Sequence, residues 1–267
     1  MKRFLQHSLT YFAASIFLAA QCAGLPAFAQ ETDPTVVPSA ERLAAAEDGS
    51  VRNPELKPYR RMLKGVDAFE AQHGLAPQAP LRFILSREDA KISFDGVTLA
   101  IAGGGMSIPV PLAVDGGFTL PRDQAAADAN ADLLLNRYAN VLRWHADIRT
   151  PGLPDNVRRL GDLRLECEIG WAVTRDDAPF FLRGAVGVLG GPCRSPRAHP
   201  NYLPPHALES VTLVSGQRQE ALRLHKNGSF SPPYSDSNWN DDTLLVYAFK
   251  NIKGESKPPL SPVRPTP

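Results

Sequence analysis

From Leu81 onward the chain alternates apolar and polar residues with a period of two, the signature of half-buried strands. Arg82-Phe83-Ile84-Leu85 opens the first strand. Ile92 and Phe94, then Asp95-Gly96, then Val97, Leu99 and Ile101 predict a hairpin turning at the Asp-Gly pair. Ile108, Val110, Leu112 and Val114, then Asp115-Gly116-Gly117, then Phe118 and Leu120 predict a second. Pro109 and Pro111 lack the ladder donor, which places that strand at a sheet edge.

Further strands are predicted at 133–135, 141–148, 186–188, 211–214, 222–224 and 244–249. The longest alternation is Leu163, Leu165, Cys167, Ile169, Trp171 and Val173, with Arg164, Glu166 and Glu168 on its other face. In 141–148, Leu142, Trp144, Ala146 and Ile148 oppose Arg143, His145, Asp147 and Arg149. These two strands are expected to pair antiparallel, with opposite charges meeting on a solvated face.

One segment has a different period. Leu56, Tyr59, Met62, Leu63, Val66 and Phe69 recur at steps of three or four. With Asn53 as cap, Pro54 at the first position and Gly74 as stop, they predict an amphipathic helix over 54–73. The fold class read from this pattern is mainly β, an antiparallel β-sandwich or strongly bent sheet with one N-terminal amphipathic helix.

The amino terminus carries a targeting signal rather than a folded element. Lys2 and Arg3 precede an uncharged apolar stretch from Leu9 to Ala23, and Pro26-Ala27-Phe28-Ala29 offers small residues at the two selective cleavage subsites. Residues 1–29 read as a signal peptide cut after Ala29. A competing lipid-attachment reading at Cys22 puts Gln21 where a small residue is needed. Residues 30–52 read as a flexible leader, 53–250 as a single mainly-β domain, and 251–267 as a Pro-rich disordered tail. No later apolar run reaches transmembrane length. The expected address is periplasmic or secreted.

Export changes the reading of cysteine and charge. Cys167 and Cys193 remain after cleavage, in a compartment where thiols oxidise, and one pairing is possible, so a Cys167–Cys193 disulfide is expected. Loss of Lys2 and Arg3 leaves the chain within one charge of neutral. That balance argues against nucleic acid as a partner, which a basic surface would attract.

Candidate chemistry is sparse. Asp236, Asn238, Asn240 and Asp242 place oxygen side chains at alternate positions, a partial match to a Ca²⁺ loop. Asp241 stands where the sharp turn wants glycine, and Tyr247 where a bidentate glutamate is expected. An Asx-rich turn is the alternative. His199 and His206 share a Pro-rich loop, short of the three or four ligands zinc needs. No phosphate loop or nucleophile elbow occurs, and no catalytic or cofactor-binding residue is assigned. The leading expectation is a non-enzymatic exported protein that binds an envelope partner or a small ligand. The alternatives are an extracytoplasmic hydrolase with acidic or Ser/His chemistry, and a Ca²⁺-binding module.

Overall fold

The computed structural model describes residues 54–87, 93–139, 142–178, 184 and 190–250. The signal peptide, the leader, the strand expected at 186–188 and the Pro-rich tail lie outside these residues. The described chain is mainly β, with three antiparallel sheets and few helices.

Its first element corrects the helix expected over 54–73. Pro54–Pro58 is strand β1, and helix α1 runs only from Tyr59 to Gln72. Pro58 decides the boundary. In a helix begun at Pro54 it would lack the N–H that the Pro54 carbonyl should accept, and its ring disfavours helical backbone at Lys57. Residues 55–58 instead pair with Leu135, Leu134, Leu133 and Asp132. The N-cap position of α1 is Pro58; Asn53 lies outside the described residues.

After β1 and α1 come β2 (Phe83–Arg87), β3 (Leu99–Gly103), β4 (Met106–Val110) and β5 (Gly117–Phe118). The short helix α2 (Gln124–Asp128) then precedes β6 (Asp132–Tyr138) and β7 (Leu142–Ala146). The first sheet has the order β1-β6-β3-β4, so the strand with Pro109 is an edge strand, as that proline requires. The second sheet is β5-β2-β7.

One arm of the first expected hairpin, at Ile92, lies outside the described residues. Asp95-Gly96 does form a turn, closed by the Val97 N–H on the Phe94 carbonyl at 3.0 Å. The tight hairpin, however, is β3–β4, pairing Gly103 with Met106 through glycines 104 and 105 at positive φ. The Asp115-Gly116-Gly117 turn forms, with the Gly116 N–H on the Ala113 carbonyl at 2.9 Å and the Ala113 N–H on the Gly117 carbonyl at 2.8 Å, but Phe118 then pairs with Phe83 of β2, and the two rings stack at 5.7 Å.

The largest correction concerns residues 163–173. They are not a strand but part of helix α3 (Leu160–Thr174), entered directly from β8 (Val157–Arg159). A run alternating at every second position also contains every fourth, and Leu165, Ile169 and Val173 form a buried helical stripe. The expected strand pair with 141–148 is therefore absent, and β7 pairs with β2 instead. Helices α1 and α3 pack so closely that a Cβ on Gly65 would lie 2.7 Å from the Val173 methyl.

The third sheet follows: β9 (Leu208–Ser215), β10 (Arg218–Leu222) and β11 (Leu244–Phe249), in the order β10-β9-β11-β8. Two apolar cores result. The first gathers Tyr59, Met62, Phe83, Ile101, Leu133 and Leu135 with the α3 stripe. The second gathers Leu160, Leu163, Val211, Leu213, Phe230, Trp239 and Leu245. The Cys167–Cys193 disulfide is present, joining α3 to the loop that leads towards β9. Cys167 reaches it from a helix, not from a strand face.

Candidate functional site

Two residues read from sequence as part of a solvated charged face, Asp147 and Glu166, belong instead to a buried ionic cluster, while Arg143, His145 and Arg149 are exposed as expected. β8 ends in Arg158-Arg159, and α3 places Asp162 and Glu166 one turn apart on the side facing residues 147–150. Arg158 is 2% exposed. Its Nη2 donates to the Ile148 carbonyl and to Glu166 Oε1, both at 2.6 Å, and its Nη1 to the Tyr202 hydroxyl at 3.1 Å. Glu166 Oε1 also accepts the Ile148 N–H at 2.8 Å. Asp162 accepts from the Thr150 N–H at 3.0 Å and the Thr150 hydroxyl at 2.6 Å.

Asp147 completes the cluster. Although exposed by pattern, it is buried, and it accepts from Arg82 Nη2 and, at 2.9 Å, from Arg149 Nε. Helix α3 lies beside this segment, with Glu166 and Asp162 on the N–H groups of Ile148 and Thr150. Each buried carboxylate thus meets cationic or N–H donors, as a buried charge must.

Electrostatics divides the carboxylates into two kinds. Burial pushes the Glu166 carboxyl above its ordinary value, outweighing the pull of Arg158. Burial also raises Asp147, but Arg149, Arg82 and Arg158 outweigh it and hold that carboxyl below its ordinary value. Burial pushes the Tyr202 hydroxyl up to about 12 and raises Tyr234 and Tyr247 further.

A pH dependence follows for Asp147. A depressed folded value stabilises the protein above the unfolded value and ceases to do so as pH falls through the folded one. Asp147→Asn is expected to unfold at lower urea than the parent at pH 7, and the two midpoints should converge below about pH 4. Urea titrations at stepped pH read this directly. A gap that persists or widens in acid would contradict the assignment.

A pocket of about 50 Å³ adjoins the cluster, lined by Arg149, Thr150, Leu153, Asp155, Arg158 and Asp162 among others. On the protein side, the Arg158 Nε and the Tyr247 hydroxyl are buried and bond to no protein group. A space of this size takes a few water molecules or a very small ion, not an organic substrate.

The loop expected to hold Ca²⁺ is organised by a side chain. Arg164 of α3 donates to the carbonyls of Tyr234, Pro233, Asp236 and Trp239, at 2.8, 3.3, 3.1 and 2.9 Å, and to Asp241 Oδ1 at 2.6 Å. A guanidinium thus stands at the centre of the loop. Among the predicted ligands, Asp236 Oδ1 accepts from the Asn238 N–H and amide at 2.9 and 2.8 Å. Asn240 Oδ1 accepts from the Thr243 hydroxyl at 3.1 Å, and Asp242 pairs with Arg159 at 2.6 Å. Among the described residues no group of three or more His, Cys, Asp or Glu side chains is placed to hold a metal ion.

The histidines are dispersed. His206 meets the Phe249 ring edge-on at 5.7 Å. The His225 Nε2 lies 3.4 Å from the Ser231 hydroxyl, but that hydroxyl donates to Asn201 Oδ1 at 2.9 Å. Its proton is directed away from the imidazole, the opposite of what a serine nucleophile and its base require.

Arg158, Glu166 and Arg164 carry the internal order of this region, and sequence reasoning missed all three roles. The available signal was composition: Arg and Glu inside an otherwise apolar alternation. No helix among the described residues is long and apolar enough to cross a membrane. Compared with known proteins, the chain matches no family model, no curated protein and no solved structure.

Proposed function

We propose that this chain is an exported β-sandwich protein of the periplasm or the extracellular space that acts by binding a partner or a small ligand rather than by catalysis. The observation that carries the reading is the Cys167–Cys193 disulfide, a bond characteristic of oxidising compartments. It agrees with an uncharged apolar stretch and a small-residue cleavage site at the amino terminus. Three antiparallel sheets around two apolar cores support the sandwich. The buried carboxylates support binding over catalysis, because their oxygens are occupied by arginines and backbone donors instead of facing a cleft.

The test is the mass and location of the full chain made in a bacterium with a working export pathway. The expected product lies outside the cytoplasm, begins at Gln30 and is two hydrogens lighter than its reduced form. A cytoplasmic product beginning at Met1 overturns the export reading. Turnover of an ester, amide or glycoside by the purified protein, lost on Ser231→Ala or Asp147→Asn, overturns the non-catalytic reading.

A further inference from the structure

The outer edge of a sheet exposes unpaired N–H and C=O groups, which proteins shield with prolines, bulges or covering elements. The first sheet follows this rule: its edge strand β4 carries Pro109, and the opposite edge β1 begins and ends in proline. Strand β10, one edge of the third sheet, carries no proline, and Arg218, Gln219, Glu220 and Ala221 are all exposed.

The register fixes which backbone groups are free. Ser215 and Arg218 face each other across the two-residue turn Gly216-Gln217, with Gly216 at φ +58°. In such a hairpin the pair flanking the turn exchanges both hydrogen bonds, and bonded pairs recur at every second residue. Arg218, Glu220 and Leu222 therefore bond to β9. Gln219 and Ala221 aim their N–H and C=O groups outward.

We propose that this edge pairs with the same edge of a second copy, antiparallel about a two-fold axis at Gln219, joining two four-stranded sheets into one of eight strands. Charge selects both the occupant and the register. Centring the pair on Glu220 would set two glutamates against each other, and centring it on Ala221 would set Glu220 against Leu222. Centring on Gln219 sets each Arg218 opposite the second copy's Glu220, at non-hydrogen-bonded positions where side chains come closest. Within one copy Arg218 Nη2 and Glu220 Oε2 already lie 3.3 Å apart on one face, both about half exposed. The four charges across the axis then alternate in sign. The Arg218 guanidinium sits 3.7 Å over the Trp239 ring, which keeps it on that face. The surface is thus self-complementary, as a two-fold contact must be.

Sedimentation equilibrium of the exported protein over a concentration series tests this. The expected result is a reversible monomer–dimer equilibrium that weakens with salt. Arg218→Glu and Glu220→Arg should each raise the dimer Kd about tenfold, and the double swap should return it to near the parent value. Gln219→Pro removes only an outward N–H, so the hairpin keeps its ladder, with unchanged circular dichroism, while the dimer is lost. A protein monomeric at every concentration overturns the proposal, as does one that takes up an extended peptide along β10 in place of a second copy. A dimer indifferent to Gln219→Pro, or one that the double swap does not restore, overturns it equally.

Discussion

Replacing Arg158 by methionine is expected to destabilise the protein by about 3–5 kcal/mol, the range for removing one partner of a buried ion pair. The side chain is 2% exposed and satisfies the Ile148 carbonyl, Glu166 and Tyr202 at once. Methionine fills the volume and leaves the Glu166 carboxylate buried without its cation. The loss should depend on pH in a defined direction. Burial already raises Glu166, and without Arg158 its folded value rises further. A carboxyl with a raised folded value costs stability as pH climbs through that value and costs nothing below the unfolded one. The deficit of Arg158→Met should therefore be largest at neutral pH and shrink in acid. Combining it with Glu166→Leu should cost less than the two single changes together, since they belong to one pair. Urea midpoints for the three variants give the answer. An Arg158→Met protein within about 1 kcal/mol of the parent at pH 7 would show that the pair does not hold this region together.

Breaking the Cys167–Cys193 bond is the second large effect. The bond closes a loop of sequence separation 26 and ties α3 to the segment that leads into the third sheet. In the chain-entropy picture that constraint contributes about 3–4 kcal/mol. For a domain of this size the melting temperature should fall by roughly 7–14 °C. The Cys167→Ala, Cys193→Ala pair, or mild reduction of the parent, tests it by thermal scanning. The native contacts around the bond should persist, because Arg194 separately reaches Glu168 at 2.7 Å and Gln72 at 2.6 Å. An unchanged melting temperature would mean that the cross-link restrains nothing the rest of the chain does not already restrain.

Much of the β architecture was legible because short-range chemistry dictates it. Pro109 marked an edge, Asp95-Gly96 marked a turn, and the alternation at 244–249 marked a strand that pairs with β9 and β8. The failures share a physical cause. Residues 163–173 satisfy the two-residue and the four-residue period together, and the choice fell to tertiary packing, with Leu165, Ile169 and Val173 buried against the first core. The start of α1 turned on Pro58, which outweighed the favourable cap at Asn53. The partners within the ionic cluster could not be read from local pattern. Arg158 finds Tyr202 44 positions away, and Arg164 finds the carbonyls of a loop about 70 positions away. Such partners are assigned by the fold, and the same side chains on an exposed strand would have stayed in water.

Helix α3 contributes Leu160 and Leu163 to one apolar core and Leu165, Ile169 and Val173 to the other. A single rigid rod is therefore a structural member of both compartments, and neither can loosen without tugging on its neighbour. The consequence is indivisibility. Cutting the gene between the two cores would strip one of them of a wall, so evolution or engineering can exchange this unit only as a whole, and a lesion in either half reaches both.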